Sequence, residues 1–176
     1  IMEEAKQNGI KIGIINSGSI EEPGTAVFVS SNLKRGNYSE IAKDVIQSGA
    51  NLIFSGGEDL LIPEGNAGRF SKKGKRKDGL NLINWAIEKG YTVVYTKDEL
   101  ASTQPDVKKI LGVFASRSTF NDKTEEVLDS LGLPNWSETA PSLAEMTEFA
   151  LKFFANKGQF YLVIEEEGTD NFGNRN

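Results

Sequence analysis

Five short, mostly apolar runs, each ending in a turn former or a charge, constrain this chain most. They are IKIGIIN at 10–16, NLIF at 51–54, YTVVY at 91–95, ILGVF at 110–114 and FYLVI at 160–164. Runs this short, bounded in this way, read as buried strands. Helical spacing fills the intervals. Residues 39–48 place Ile41, Ala42, Val45 and Ile46 on one face, with Ser39 read as the cap and Gly49 as the stop. Asp78 reads as the cap of a second helix that carries Leu82, Ile83, Ala86 and Ile87 and closes at Gly90. Ser142 with Glu145 makes a capping-box pattern, the best-marked helix start, and the helix it opens carries Leu143, Met146, Ala150 and Phe153 at core spacing. Strands alternating with helices predict an α/β fold, doubly wound, with a mainly parallel central sheet and helices on both faces. At 176 residues the chain fits one domain that buries about 70% of its unfolded surface.

Composition limits the chemistry. The chain has no cysteine, which excludes disulfides and thiolate metal ligands, and no histidine, which excludes imidazole ligands and a histidine base. A metal site built from this chain alone is therefore all oxygen, a set that suits magnesium, manganese or calcium better than zinc. No run approaches the roughly 18 apolar residues of a membrane span, so no membrane partner is expected. No basic start leads into an apolar core of a signal peptide within this stretch. Residues 2–7 read as the end of a helix, and residues 171–176 follow the last strand with no helix to cover the sheet, so both ends read as cuts.

The last strand runs straight into Glu165, Glu166 and Glu167, and Asp170 follows Gly168 and Thr169. Four carboxylates in six residues repel one another unless a cation holds them, and in open parallel sheets ligands sit beyond the carboxyl ends of the strands. A solvated acidic loop explains the same residues, and charge alone leaves both readings open. The basic run KKGKRK at 72–77 reads as a solvated loop rather than a nucleic-acid patch, because the protein is acidic and no aromatics interleave it. The Ser55-Gly56-Gly57 turn sits where a phosphate loop would, but matches neither the Walker spacing nor a dinucleotide fingerprint. Arg35 offers a planar fork that suits a phosphate, and nothing in composition separates it from a surface arginine.

Three stretches in succession are GSIEEPGTAVFVSSNLKR at 18–35, SGANLIFSGGE with KRKDGLNLINWAIEKGYTVVY between 48 and 95, and PSLAEMTEFALKFF leading into FYLVIEEEGTDNFGN at 141–174. Together they resemble the alkaline phosphatase family, over most of the chain. The resemblance implies a fragment of a larger phosphatase domain with an alkaline phosphatase-like sheet. It also implies a metal-dependent phosphomonoester hydrolase acting through a phosphoserine. Its magnesium glutamate falls on Glu165 and its zinc aspartate on Asp170. The histidine expected four residues later is Asn174. A neutral amide is a poor zinc ligand, so either the metal differs, or Asn174 binds through its oxygen, or Glu166 or Glu167 contributes. The phosphate-binding arginine falls on Arg35 and a magnesium-site acid on Glu22, while the companion threonine, expected at Gly24, appears as Thr25.

The nucleophilic serine and the remaining metal ligands of that family lie outside the matched region. The resemblance therefore implies that this chain alone does not hydrolyse phosphate esters. It further implies magnesium and zinc as cofactors, a phosphomonoester as substrate, a homodimer, and periplasmic or secreted location. Rival readings are a phosphodiesterase or sulfatase of the same superfamily, a noncatalytic phosphate- or cation-binding domain, and a flavodoxin-like binding domain with an acidic loop.

Overall fold

The apolar runs pair into a five-stranded sheet in the order β3-β4-β2-β1-β5, parallel throughout. In this computed structural model, which describes residues 2–70 and 72–175, the strands are β1 (Lys11–Ser19), β2 (Leu52–Gly56), β3 (Tyr91–Val94), β4 (Lys109–Val113) and β5 (Phe160–Glu165). The helices are α1 (Met2–Gln7), α2 (Pro23–Ala26), α3 (Tyr38–Gln47), α4 (Leu82–Glu88), α5 (Lys97–Ser102), α6 (Glu125–Leu131), α7 (Leu143–Phe154) and α8 (Glu167–Arg175). Successive residues of a strand face opposite sides, so β1 feeds two cores. Ile12 and Ile14 meet Met2 of α1, Val45 and Ile46 of α3, and Leu82 of α4. Ile15 meets Leu100 of α5 and Met146, Phe149, Phe153 and Phe154 of α7 on the other side. The fold is the expected α/β, doubly wound architecture. Because every strand runs the same way, the carboxyl ends of β1, β2, β4 and β5 open onto one edge.

The capping box is present, with both of its reciprocal bonds between Ser142 and Glu145. Other boundaries moved. β1 continues past Asn16 through Ser17, Gly18 and Ser19, since after a register shift Ser19 pairs with Gly56 of β2. Ser39 lies inside the first turn of α3, which starts after Asn37. Asp78 caps nothing: Asn81 starts α4 by accepting from Asn84 N–H at 2.9 Å.

Asp78 has another task. It accepts from Arg76 Nε at 3.1 Å, and Arg76 is fully buried, donating from Nη1 to the carbonyls of Ser39 at 2.7 Å and Leu60 at 3.1 Å. The basic run is therefore not one solvated loop. Arg76 staples the loop to α3, because a buried guanidinium must spend its donors on acceptors within reach.

The largest correction is at the end of the chain. Residues expected to trail off without a helix form α8, and only Asn176 of that tail lies outside the described residues. Glu166 Oε1 accepts from Gly168 N–H at 3.0 Å, and Ser17 Oγ accepts from Glu167 N–H at 3.0 Å, so two of the otherwise orphaned first-turn donors are satisfied. No helix among the described residues is long and apolar enough to cross a membrane.

Candidate metal and phosphate site

The register of β1 with β5 places Asn16 directly beside Glu165. Asn16 is a polar residue fully buried in an apolar strand. Its Oδ1 accepts from Gly18 N–H at 2.6 Å, and its Nδ2 donates both to Glu165 Oε2 and to Thr25 Oγ1, the latter at 3.0 Å. Thr25 N–H also donates to the Glu165 carboxylate. Thr25, buried on α2, donates to the carbonyl of Glu22 at 3.4 Å. One amide thus ties β1, β5 and α2 together and aims Glu165 at the loop that carries Glu22.

Gly24 explains the displaced threonine. A Cβ at residue 24 would fall 1.8 Å from Glu165 Oε1, so a threonine there would evict the carboxylate. Glycine leaves the room, and the hydroxyl comes from the next residue.

Glu22, Glu165 and Glu167 form one electrostatic cluster. Burial and the negative charges of Glu167 and Glu21 push Glu22 up to about 7. Burial and then Glu22 raise Glu165 above the usual carboxylate range. Burial, Glu165 and Asp170 push Glu167 up to about 7. Such shifts mean that these carboxyls are held away from water and, after that, face like charges with too little neutralisation. Arg35 supplies some, with Nη2 3.8 Å from Glu22 Oε2, but its side chain is 74% exposed and the pair is weak.

The structure brings Glu22, Thr25 and Glu165 together and sets Arg35 at their rim. Asp170 stands on α8, exposed, and Asn174 Nδ2 donates to its Oδ1 at 2.8 Å. The amide nitrogen of Asn174 therefore holds Asp170 in place, and only its oxygen remains free to face a cation. Glu166 turns away from the cluster to accept from Ser17 Oγ at 2.5 Å, whereas Glu167 turns into it. Asn16 and Glu167 are the members that sequence reasoning missed or left open. A lone asparagine closing the run IKIGIIN was the available signal for the first.

A hard, oxygen-bound cation such as magnesium fits these donors: carboxylates raised by mutual repulsion, a hydroxyl, and amide oxygen. Zinc fits poorly, since the chain offers neither imidazole nor thiolate. Among the described residues no three carboxylates are arranged to hold a metal as they stand.

The repulsion predicts a pH effect. Folded Glu22 and Glu167 keep their protons up to about 7, while in the unfolded chain they lose them near 4.5. A raised carboxyl pKa stabilises the fold fully below the unfolded value, and that contribution fades as pH rises through the folded value. In chelator the chain should melt at lower temperature as pH goes from 4.5 to 7, and less so in Glu167→Gln. Magnesium should restore more stability at pH 8 than at pH 5. Thermal melts whose pH slope is unchanged by Glu167→Gln would contradict this.

Comparison with known proteins gives the family and the fold. The alkaline phosphatase family profile matches residues 1–175. An alkaline phosphatase of Gadus morhua is 27% identical over 192 residues, covering 94% of this chain and 38% of that protein. The crystal structure of Thermus thermophilus alkaline phosphatase superposes with a TM-score of 0.72 at 29% identity, covering 94% of this chain and 31% of that one. A mutant alkaline phosphatase from the Antarctic bacterium TAB5, solved with magnesium bound, has a TM-score of 0.65 at 21% identity over 96% of this chain and 42% of that one. The chain thus spans about a third of the length of its relatives. It belongs to the alkaline phosphatase family.

Proposed function

We propose that the protein containing this chain is a metal-dependent phosphomonoester hydrolase that works through a phosphoserine. The observation that carries the reading is the meeting of Glu22, Thr25 and Glu165 at the carboxyl edge of the sheet, with Arg35 at 3.8 Å from Glu22, in a chain of this family. Glu165, Glu22 and Thr25 are the magnesium-side donors. Asp170, supported by Asn174, would face a second cation. Bound there, the metal would neutralise the phosphoryl group and activate the attacking oxygen. Arg35 would leave its weak pair with Glu22 and grip two phosphate oxygens, aligning the group and offsetting its charge. The serine that accepts the phosphoryl group belongs, in this reading, to a segment of the parent protein outside this chain. Export and a homodimeric parent are part of the same reading, through the family alone.

Assays of the parent protein on aryl phosphate, bis-aryl phosphate and aryl sulfate test it. The phosphomonoester should be the preferred substrate by orders of magnitude, and the isolated 176-residue chain should turn over none of the three. Arg35→Ala in the parent should weaken phosphate binding about tenfold to a hundredfold, the scale of a charge-assisted hydrogen bond. Preference for the diester or the sulfate would overturn the substrate assignment.

A further inference from the structure

Beyond the carboxylates the same edge opens into a cleft of about 1090 Å³, with Glu22 and Asn171 on its carboxylate side. That is just above the range for small-molecule sites, about 300–1,000 Å³. The opposite wall is a rigid piece of loop. An antiparallel bridge pairs Phe120 with Trp136. Asn121 N–H donates to Asn135 O at 2.7 Å, and Ser137 N–H donates to Thr119 O at 2.8 Å. Thr119 gives both its N–H, at 2.9 Å, and its hydroxyl, at 2.7 Å, to the carbonyl of Ser17. Ser17 is the residue whose hydroxyl meets Glu166 and Glu167 at the start of α8. Ser17 therefore fastens the wall to the start of α8.

Trp136 is the centre of that wall. Its ring meets Phe120 at 5.9 Å and Phe172 of α8 at 6.2 Å, both edge-on. It also lies so close to Gly168 that a Cβ there would come within 2.7 Å of the indole. Three neighbours fix the ring, yet Trp136 stays 44% exposed and lines the cleft. Packing α8 in place accounts for the covered side of the indole. The other side of the indole faces the cleft that Glu22 also lines.

We propose that this cleft is a leaving-group subsite in which the base of a nucleoside 5′-phosphate stacks on Trp136 while its phosphate lies at the carboxylate cluster and Arg35. The inference rests on the phosphatase reading for the phosphate end only. Bases stack on aromatic side chains whatever their sequence identity, since every base has a π-face. A small aliphatic alcohol would leave the cleft mostly water-filled and would gain nothing from the indole. Asn121 and Ser137 border the cleft with hydrogen-bonding groups suited to a base edge or a ribose hydroxyl. Trp136 is thus a specificity residue, contributing binding equally in ground and transition states, so its effect belongs in KM.

The test uses the parent protein with adenosine 5′-monophosphate and glycerol 2-phosphate. Trp136→Ala should raise KM for the nucleotide about tenfold more than for glycerol 2-phosphate, the scale of one stacked base, with the second substrate registering any loosening of α8. Trp136→Phe should restore most of the loss. Equal losses on both substrates, which a purely structural tryptophan would give, overturn the proposal, as does an unchanged KM for the nucleotide. A second measurement needs no turnover. The difference in tryptophan fluorescence between the parent protein and its Trp136→Phe variant reports on Trp136 alone. Saturable quenching of that difference by adenosine is expected, and absence of quenching overturns the subsite. A parent protein that hydrolyses neither ester but shows the quenching would refute the phosphatase reading and support the subsite.

Discussion

Replacing Glu165 by glutamine in the parent protein is expected to abolish magnesium binding at this cluster and to lower kcat/KM for a phosphomonoester at least about a hundredfold. Removing partners that merely orient a ligand already costs about 10- to 100-fold in metal affinity or activity, so the loss of a ligating oxygen's charge belongs at or beyond the top of that range. Glu165 is fixed in place by Asn16 and by Thr25 N–H, and it presses on Gly24, so no neighbouring carboxylate can move into its position without displacing α2. The fold should not suffer. Burial and then the charge of Glu22 hold Glu165 above the usual carboxylate range, and taking away its charge relieves both in the metal-free chain. The expected signature is therefore lost magnesium affinity by calorimetry, lost turnover, and unfolding in urea no easier than wild type in chelator. Magnesium affinity within about threefold of wild type would remove Glu165 from the ligand set.

The strands were legible because each is a short run of β-branched and aromatic residues closed by a break, and all five formed where that pattern lies. Helix α7 was legible because its cap is local, carried by Ser142 and Glu145 three residues apart. What escaped was held by distant partners. The stretch EEEGTDNFGNR contains two glycines and two asparagines and carries little helical propensity of its own. It becomes α8 because Ser17, some 150 residues earlier, accepts from Glu167 N–H, and because Phe172 packs on Phe120 and Trp136. Asp78 looked like a helix cap because capping residues are recognised by type, whereas the buried Arg76 that claims it is recognised only in three dimensions. The candidate site divides the same way. Four carboxylates at one strand end could be read from the sequence, and the family resemblance picked out Glu165 and Asp170 among them. The neighbours that set Glu165, namely Asn16, Gly24 and Glu167, depend on the β1–β5 register and on how closely α2 approaches β5.

Arg117→Ala should be the most damaging single change to the fold at this edge, costing about 3–5 kcal/mol, which is a large part of the 5–15 kcal/mol that holds a domain together. Arg117 follows β4, and its guanidinium reaches Glu21 Oε1 at 2.9 Å and Asp59 Oδ1 at 3.4 Å, joining the segments that follow β1 and β2. Both carboxylate side chains are essentially buried, at 2% and 0% exposure. Without the arginine, Glu21 would keep only the hydroxyl of Ser19 among its present side-chain partners, and Asp59 would keep Lys75 at 2.8 Å. Buried charge left uncompensated is the expensive outcome, much more than the lost attraction itself. The position of Arg117 is also fixed by its backbone, since its carbonyl oxygen sits where a Cβ on Gly56 would fall, 1.6 Å away. A pair of variants isolates the charge effect from packing. Adding Glu21→Gln to Arg117→Ala removes one orphaned charge, so the double variant should be less destabilised than the two single costs summed, by about 1–3 kcal/mol. Function should follow, because Glu22 is the next residue and Arg117 helps to hold its carboxyl down against burial and Glu167. Loosening residue 21 frees Glu22 from its place beside Glu165, and magnesium affinity should drop with stability in Arg117→Ala and recover in part in Arg117→Lys. Strict additivity in urea unfolding, with magnesium affinity unchanged in all three variants, would mean that the clamp neither stabilises this edge by neutralising buried charge nor positions the carboxylate beside it.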